Sequence, residues 1–332
     1  MAAILEAIGV DLGGTKIEVG RVDATGHVLK RIGFATDTEG GPQQIQNKII
    51  EAIQELQNGS KIPLVGVGIG LAGQIDPLHG IVHFAPNLPD WEDIPLQENM
   101  QKILGLPVKV INDVRAIAWG EWLFGAGKST QDLVCVFVGT GIGGGVVCAG
   151  KLLKGHSNTF GEVGHMVVDL DGPSCTCGNR GCWESIAGGW GIAKQAREAV
   201  LNDQVAGARL LKLSEQKIEN ISAKNVGEAY LQNDPLAISL IKKVQKALIA
   251  GCINLVNLYN PEFLILGGGL IDGIPEIVAV IEDGVRKKAL KAATQGLKIV
   301  TARLGKQVGV IGAAAVVFDF LLKESNKKGE WK

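Results

Sequence analysis

The sequence DLGGTK at Asp11–Lys16 begins inside the short apolar segment Ile8–Leu12 and continues as a glycine turn that leads to a second apolar segment. A glycine turn between segments of alternating apolar residues predicts an antiparallel hairpin. The same arrangement returns as VGTGIGGG at Val138–Gly145, directly after the apolar segment Leu133–Val138. Because two distant turns have the same form, they indicate an internal duplication and so decide the architecture.

The two turns, Gly13-Gly14-Thr15 and Gly139-Thr140-Gly141, are also candidate phosphate-binding loops. Consecutive backbone N–H groups without bulky side chains can cradle phosphate oxygens. Each turn alone is equally compatible with an ordinary tight hairpin. A third glycine cluster, Gly267-Gly268-Gly269, follows the predicted strand Pro261–Leu266 and favours a nucleotide site.

Two glycine patterns look like known nucleotide fingerprints but lie in the wrong context. GTGIGG at Gly139–Gly144 resembles a dinucleotide fingerprint, which has to open a helix. Here Gly145–Ala149 predicts a returning strand instead. Gly127–Ser129 resembles the end of a Walker A loop, but the first glycine of that motif would fall on Trp122. We therefore reject the Walker A interpretation, and the predicted returning strand disfavours the dinucleotide interpretation.

The composition is that of a globular protein with more than one core. The chain has 332 residues, of which 46% are hydrophobic and 20% charged, and its formal net charge is −1. A chain of this length predicts two domains. The absence of a basic excess argues against nucleic acid as a partner.

The sequence also indicates a cytoplasmic protein. The apolar run Val308–Leu322 contains Asp319 and is too short to span a bilayer, and no signal peptide is expected. Cys135, Cys148 and Cys252 lie in apolar runs, so we expect buried, reduced thiols.

The remaining patterns predict elements of an α/β protein. Residues 190–258 are expected to be helical. Further predicted helices are Pro42–Asn58, a helix from Asn112 to about Phe124, and Val308–Leu322. Further predicted strands are Val65–Leu71, Val108–Ile111 and Leu297–Leu304.

Cys175, Cys177 and Cys182 form the pattern C-x-C-x4-C, with His165 upstream of the first cysteine. Three thiolates and one imidazole make the closed tetrahedral shell of a structural zinc site. Ordinary loop cysteines with a solvated histidine are the alternative, which this spacing disfavours.

Glu162 and Glu184 flank these candidate zinc ligands. Glu162 lies just before His165, and Glu184 lies just after Cys182. A bound metal would hold both carboxylates rigidly, so the zinc is interpreted as a scaffold that orients groups for another ligand.

Asp113 lies at the junction between a predicted strand and a predicted helix, behind Asn112. Helix capping explains an acidic residue there equally well. The carboxyl end of a central strand is, however, where ligands bind in open α/β sheets. An ionised carboxylate there could take the proton from an alcohol that attacks a phosphoryl group.

Three of these motifs together resemble the ROK family of sugar kinases and related repressors, over nearly the whole chain. They are GEVGH at Gly161–His165, CTCGNRGCWE at Cys175–Glu184, and the opening DLGGTK. The resemblance implies an α/β, actin-like ATPase fold with duplicated ribonuclease-H-like sheets and an interdomain cleft. It implies an N-terminal domain of residues 1–115 plus 309–332, and a larger domain of residues 116–308 that carries the zinc loop.

The resemblance also implies roles for individual residues. The phosphates of ATP would be held by Gly13, Gly14, Thr15, Lys16, Gly139, Thr140 and Gly141, with Gly267, Gly268 and Gly269 near the nucleoside. Asp11 would contact Mg²⁺ through water, and Asp113 would be the catalytic base. The sugar would be bound by Asn112, Glu162, His165 and Glu184, with Gly73 and Asn87 lining its pocket. His165 would then serve zinc with one ring nitrogen and sugar with the other.

Arg115 departs from the family pattern, which often has an asparagine two residues after the catalytic aspartate. A guanidinium that faces Asp113 would favour the ionised carboxylate. Alternatively, Arg115 points away on the helix.

The resemblance implies ATP-dependent phosphorylation of a hexose at its 6-hydroxyl, with glucose as the first candidate. Fructose, mannose and the N-acetylhexosamines are alternative acceptors, and polyphosphate is an alternative donor. A sugar-responsive repressor is the alternative from another class, but it would need a helix-turn-helix domain before Asp11, where we expect no room for one. The family also suggests a homodimer or homotetramer, and no membrane partner is expected.

Overall fold

The structure, a computed structural model, describes residues 5–58, 62–76 and 78–328. The strands are β1 (Glu6–Leu12), β2 (Lys16–Asp23), β3 (Val28–Ala35), β4 (Leu64–Leu71), β5 (Gln74–Ile75), β6 (Val82–Phe84), β7 (Glu92–Ile94), β8 (Val108–Asn112), β9 (Leu133–Val138), β10 (Ile142–Cys148), β11 (Lys151–Leu152), β12 (Phe263–Gly267) and β13 (Lys298–Thr301). The helices are α1 (Gly41–Asn58), α2 (Leu96–Leu104), α3 (Asp113–Leu123), α4 (Trp183–Ala187), α5 (Gly189–Asn202), α6 (Ala208–Leu213), α7 (Ala223–Leu231), α8 (Pro235–Tyr259), α9 (Gly269–Gly273), α10 (Glu276–Lys288), α11 (Lys291–Thr294) and α12 (Val308–Lys328).

The chain divides into two compact units. Unit 1 comprises residues 1–129, 151–160 and 303–332, and unit 2 comprises residues 130–150 and 161–302. The domain boundary expected after residue 115 lies inside α3, and the one expected after residue 308 lies inside the first turn of α12. Unit 1 includes the whole of α3.

The sheet of unit 1 has the strand order β3-β2-β1-β4-β8. The first three strands are antiparallel, which confirms the hairpin predicted at the first glycine turn and extends it by β3. Strands β4 and β8 continue the sheet parallel to β1. A smaller antiparallel sheet of β5, β6 and β7 follows β4.

Helices cover both faces of this sheet. The apolar stripe of α1, which includes Ile45, Ile49 and Ile53, is buried in one core with the branched residues of β1, β2 and β4. On the other face, a β-carbon at Gly9 would lie 1.9 Å from the carbonyl oxygen of Val310 in α12. The glycines of β1 and β4 therefore leave a bare surface on which α12 packs backbone to backbone.

The sheet of unit 2 repeats this connectivity. Its strands follow the order β10-β9-β12-β13, with β10 antiparallel to β9 and with β12 and β13 parallel to it. The corresponding strands of unit 1 are β2-β1-β4-β8. The glycine turn between β9 and β10 thus matches the turn between β1 and β2, and the predicted duplicated, ribonuclease-H-like architecture is confirmed.

The last predicted strand was too long. It was expected at Leu297–Leu304, but β13 ends at Thr301. The backbone N–H groups of Arg303 and Leu304 donate instead to Oε1 of the buried Glu121, each at 2.9 Å. Because these donors are bound by a side chain, they cannot extend the ladder.

Three other expectations need correction. The strand expected at Gly145–Ala149 begins at Ile142, since Ile142 already pairs with Val138 across the turn. The last helix continues beyond Leu322 to Lys328. Cys148 is exposed because it is the last residue of β10, beyond the buried run of that strand. The other two thiols expected in apolar runs, at Cys135 and Cys252, are buried and free.

Within the described ranges, none of the helices has the length and apolar character needed to cross a membrane.

Candidate functional site

Asp11 and Asp113 lie close to each other in unit 1 because three parallel strands share one edge. Asp11 pairs with Gly70 of β4, which in turn pairs with Ile111 of β8, and Asp113 follows the end of β8. Burial, followed by the nearby Asp113 carboxylate, raises the pKa of Asp11 to about 6. Two partly buried carboxyl groups thus face one region at the carboxyl ends of the strands.

Asp113 is the first residue of α3, and Asn112 is its N-cap. The Asn112 side chain accepts the Arg115 N–H at 3.2 Å, so the capping alternative for Asp113 is wrong. Oδ1 of Asp113 accepts the Val114 N–H at 2.9 Å. Burial nonetheless raises the pKa of Asp113 above its usual value, which makes the carboxylate a stronger base.

Arg115 does not act on Asp113 as a facing guanidinium would, because that arrangement would lower the aspartate pKa. Its Nη1 donates instead to Oδ1 of Asn158 at 2.8 Å. Of the two orientations considered from the sequence, the structure has the one in which Arg115 points away.

The first glycine turn is fixed by hydrogen bonds within unit 1. The Gly13 N–H donates to the carbonyl oxygen of Lys16 at 3.1 Å, and the Thr36 hydroxyl donates to the carbonyl of Gly13 at 2.6 Å. The Thr36 N–H donates to the carbonyl of Thr15 at 3.0 Å. The Lys16 ammonium pairs with the Glu18 carboxylate.

Glycines bring the candidate sugar-binding loop against this turn. A β-carbon at Gly14 would lie 2.6 Å from the carbonyl oxygen of Asn87, so only glycine permits this approach. A β-carbon at Gly73 would lie 2.5 Å from the carbonyl oxygen of Phe84. Unit 1 therefore gathers Asp11, Gly13, Gly14, Thr15, Lys16, Gly73, Asn87, Asn112 and Asp113 around one end of its sheet.

The second glycine turn has its own supports in unit 2. The Gly139 N–H donates to the carbonyl of Gly141 at 3.0 Å, and the Trp190 N–H donates to the carbonyl of Thr140 at 2.9 Å. Gly268 has φ +95°, and a β-carbon there would lie 2.6 Å from the carbonyl oxygen of Val138. The glycine cluster Gly267-Gly268-Gly269 thus lies beside the turn.

Glu184 connects the cysteine loop to this turn. Its Oε2 accepts the Ile142 N–H at 2.7 Å, and its Oε1 accepts the indole N–H of Trp190 at 2.9 Å. A β-carbon at Gly141 would lie 2.2 Å from Oε2. Each carboxylate oxygen has a second lone pair, so Glu184 can position the turn and still accept a ligand hydroxyl.

The GEVGH segment packs beside Glu184. Val163–His165 forms a single 3-10 turn, in which the His165 N–H donates to the carbonyl of Glu162 at 3.1 Å. A β-carbon at Gly164 would lie 2.2 Å from the carbonyl oxygen of Ile142. The segment therefore lies against the start of β10, and the Glu162 side chain is exposed.

His165, Cys175, Cys177 and Cys182 come together as the spacing predicts, with their ligand atoms all within 4.8 Å of one another. Nδ1 of His165 is 3.7 Å from Sγ of Cys175, and the Sγ atoms of Cys177 and Cys182 are 3.6 Å apart.

These distances fit a zinc ion. With metal–sulfur bonds of about 2.3 Å, sulfurs in a tetrahedral shell lie about 3.8 Å apart. Burial and neighbouring thiols raise the pKa of Cys182 to about 12, so a thiolate there needs a cation beside it. Nδ1 of His165 faces the cluster, and Nε2 is the nitrogen left for another partner.

Sequence reasoning missed the residues that support the site from a distance. Thr36, Asn158 and Trp190 hold the glycine turns or Arg115, yet none lies in a recognisable motif. Only the contact of Trp190 could have been predicted from neighbouring residues. Its indole lies six residues after Glu184, so it can reach that carboxylate across the junction between α4 and α5.

Comparison with known proteins places the chain in one family. The model of the ROK family matches residues 7–319. A glucokinase of Thermotoga maritima is 36% identical over 313 residues, which cover 94% of this chain and 97% of the relative. A glucokinase of Streptomyces coelicolor is 36% identical over 312 residues, which cover 92% and 96%.

A solved structure agrees with these relatives. The crystal structure of a ROK family glucokinase from Streptomyces griseus, in complex with glucose and AMPPNP, has a TM-score of 0.77 and 34% identity to this chain. The match covers 95% of this chain and 99% of the other. The chain therefore belongs to the ROK family and has the actin-like ATPase fold.

Proposed function

We propose that this protein is a sugar kinase that transfers the γ-phosphoryl group of ATP to the 6-hydroxyl of glucose. The observation that carries the proposal is Asp113, a partly buried carboxylate of raised pKa at the carboxyl end of β8. The relatives named glucokinase support the reaction, and the Streptomyces griseus complex with glucose and AMPPNP supports both substrates.

Asp113 acts as the general base. As the 6-oxygen of the sugar attacks the γ-phosphorus, its proton passes to the carboxylate, the bond from phosphorus to the bridging oxygen breaks, and ADP leaves. A positioned base typically contributes about 10²–10⁴-fold to such a step. Burial raises the pKa of Asp113, which strengthens its carboxylate as a base.

The backbone of the glycine turns binds the nucleotide. Gly13, Gly14 and Thr15, with Lys16, are proposed phosphate ligands, and so are Gly139, Thr140 and Gly141. Gly267, Gly268 and Gly269 lie against the nucleoside. Asp11 has the hard oxygen ligand that Mg²⁺ prefers and would hold the ion through water. When bound, Mg²⁺ neutralises charge on the phosphates.

The sugar hydroxyls are bound by side chains that the fold already fixes. The amide of Asn112 is oriented by its capping bond, and Glu184 by its bonds to Ile142 and Trp190. Glu162 and Nε2 of His165 complete the set, with Gly73 and Asn87 lining the pocket. His165, Cys175, Cys177 and Cys182 would hold a structural zinc ion, which would fix the positions of Glu162, His165 and Glu184.

We further propose that the protein works in the cytoplasm as a homo-oligomer. The six cysteines are free, which supports a reducing compartment. Leu258 and Leu290 of unit 2 are 69% and 64% exposed, which supports a self-association surface. Analytical ultracentrifugation tests the oligomer, and a monomer at micromolar concentration would rule it out.

The decisive experiment is a kcat/KM panel with ATP and glucose, fructose, mannose, N-acetylglucosamine and N-acetylmannosamine. Glucose should give the highest value, and the product should be the 6-phosphate by NMR. If another sugar exceeded glucose tenfold, which is about 1.4 kcal/mol in transition-state binding, the glucose assignment would fail. If Asp113→Asn retained more than about a tenth of kcat, the base would be wrong.

A further inference from the structure

Arg115 is buried to 3% exposure two residues after the proposed base. Its backbone N–H completes the cap of α3 through Asn112, and its guanidinium reaches Asn158 at 2.8 Å. A buried guanidinium carries a large desolvation cost unless its donors are paired. Arg115 therefore joins the start of α3 to a distant part of the sequence.

Asn158 is the anchor of an exposed loop. Residues 154–157 and Thr159 are exposed, whereas Asn158 is 9% exposed and has φ +59°. The Phe160 N–H donates to the carbonyl of Lys154 at 3.2 Å and closes the loop. We call residues 154–160 the anchored loop. It ends two residues before the proposed sugar ligand Glu162.

The Asn158 amide also reaches a third segment. While its Oδ1 accepts from Arg115, its Nδ2 donates to the carbonyl oxygen of Ile75 at 2.8 Å. Ile75 lies two residues after Gly73, in β5. Only an amide side chain offers an acceptor and a donor together in this geometry, so aspartate or leucine could not make both links.

We propose that Arg115 and Asn158 are positioning residues that set the affinity for the sugar acceptor. Arg115, Asn158 and the Ile75 carbonyl form a clasp, which holds the anchored loop against β5 and the start of α3. Two segments of unit 1 that carry proposed sugar ligands, at Gly73 and Asn112, are thereby fixed relative to each other and to the loop that precedes Glu162 in the sequence. This inference rests on the proposed function, because it assigns the clasp to the sugar site of that reaction.

The kinetic test uses Arg115→Met and Asn158→Ala in the full chain. Each variant should raise KM for glucose about tenfold or more, because displacing a ligand by about 1 Å can cost up to 10²-fold. KM for ATP should change by less than about twofold, since the clasp touches none of the glycine turns. Asn158→Asp keeps an acceptor for Arg115 but loses the donor to Ile75, so it should fold and still raise KM for glucose.

A second readout needs no activity. Trypsin cleavage after Lys154, followed by mass spectrometry on the native protein, should be about tenfold faster in each variant because the anchored loop is released. Arg21→Met is the matched control. Arg21 donates to the carbonyl of Leu56 at 3.1 Å elsewhere in unit 1, and its loss should change neither cleavage at Lys154 nor KM for glucose.

The double variant Arg115→Met/Asn158→Ala separates a clasp from two independent effects. Because either single change already breaks the same connection, the double variant should be no worse than the worse single variant. The proposal would be overturned if the increase in KM for glucose in the double variant equalled the product of the two single increases. Equal increases in KM for glucose and for ATP, or unchanged cleavage at Lys154, would also overturn it. If the wild-type protein failed to phosphorylate glucose, the proposed function would fail, and cleavage at Lys154 would still decide whether the clasp exists.

Discussion

Replacing Asp11 by asparagine is expected to stabilise the folded protein at neutral pH while removing phosphoryl transfer. The carboxyl group of Asp11 is largely buried beside Asp113 and Glu18, and its pKa is raised to about 6. The first turn of α12 also lies against it, since a β-carbon at Gly309 would be 2.2 Å from Oδ2. Asparagine has nearly the same shape and no charge.

The magnitude follows from the pKa. In the unfolded chain the carboxyl group titrates near 3.8, and in the folded protein near 6. The shift of about 2 units corresponds to about 3 kcal/mol at 1.36 kcal/mol per unit. Below pH 3.8 the carboxyl group is protonated in both states, so its stabilising contribution is fully present. As the pH rises, the group ionises first in the unfolded chain, and the contribution is lost by the time the pH has passed about 6. The ionised Asp11 therefore costs about 3 kcal/mol above that pH.

Urea unfolding of the wild type and of Asp11→Asn, in magnesium-free buffer between pH 4 and pH 8, measures this cost. The free energy of unfolding of the variant should exceed that of the wild type by about 3 kcal/mol at pH 7.5, and the two should converge near pH 4. Added Mg²⁺ should stabilise only the wild type. Equal stability at pH 7.5, or a difference that is independent of pH, would refute the reasoning.

Three further outcomes are expected. Asp113→Asn should lower kcat at least about 10²-fold without loss of zinc, and wild-type kcat/KM should fall on the acid side with an apparent pKa above 3.8, because protonation removes the base. Cys175→Ser should lose the bound metal measured by mass spectrometry, whereas Cys148→Ser, outside the cluster, should retain it; full metal content in the first variant would exclude Cys175 as a ligand. Glu184→Gln should raise KM for ATP about tenfold, since an amide nitrogen replaces an acceptor that fixes Gly139–Gly141; an unchanged KM for ATP would contradict that coupling.

The sequence predicted the structural features that are determined by residues close together in the chain. The glycine turns between apolar segments gave both hairpins, and the cysteine spacing gave a cluster whose ligand atoms lie within 4.8 Å of one another. Asn112 and Asp113 together marked the strand-to-helix junction. In each case the chemistry and the geometry are set within a few residues of chain.

Features that depend on distant residues could not be predicted. The end of β13 at Thr301 is set by Glu121, whose carboxylate takes the next backbone donors from a position 182 residues earlier. The direction of Arg115 depends on Asn158, which is 43 residues away. A local pattern carries no information on which partner a long side chain will reach, because that partner is chosen by the tertiary fold.

The position of α12 has a consequence for synthesis on the ribosome. Val310, Ala314 and Phe318 of this helix share a core cluster with Ala7 and Val22, which are made first. Domains generally fold in the order in which they emerge. Here residues 130–302 emerge before the helix that completes the first sheet. The nascent chain therefore carries the bare glycine face of β1 and β4 uncovered while unit 2 is translated.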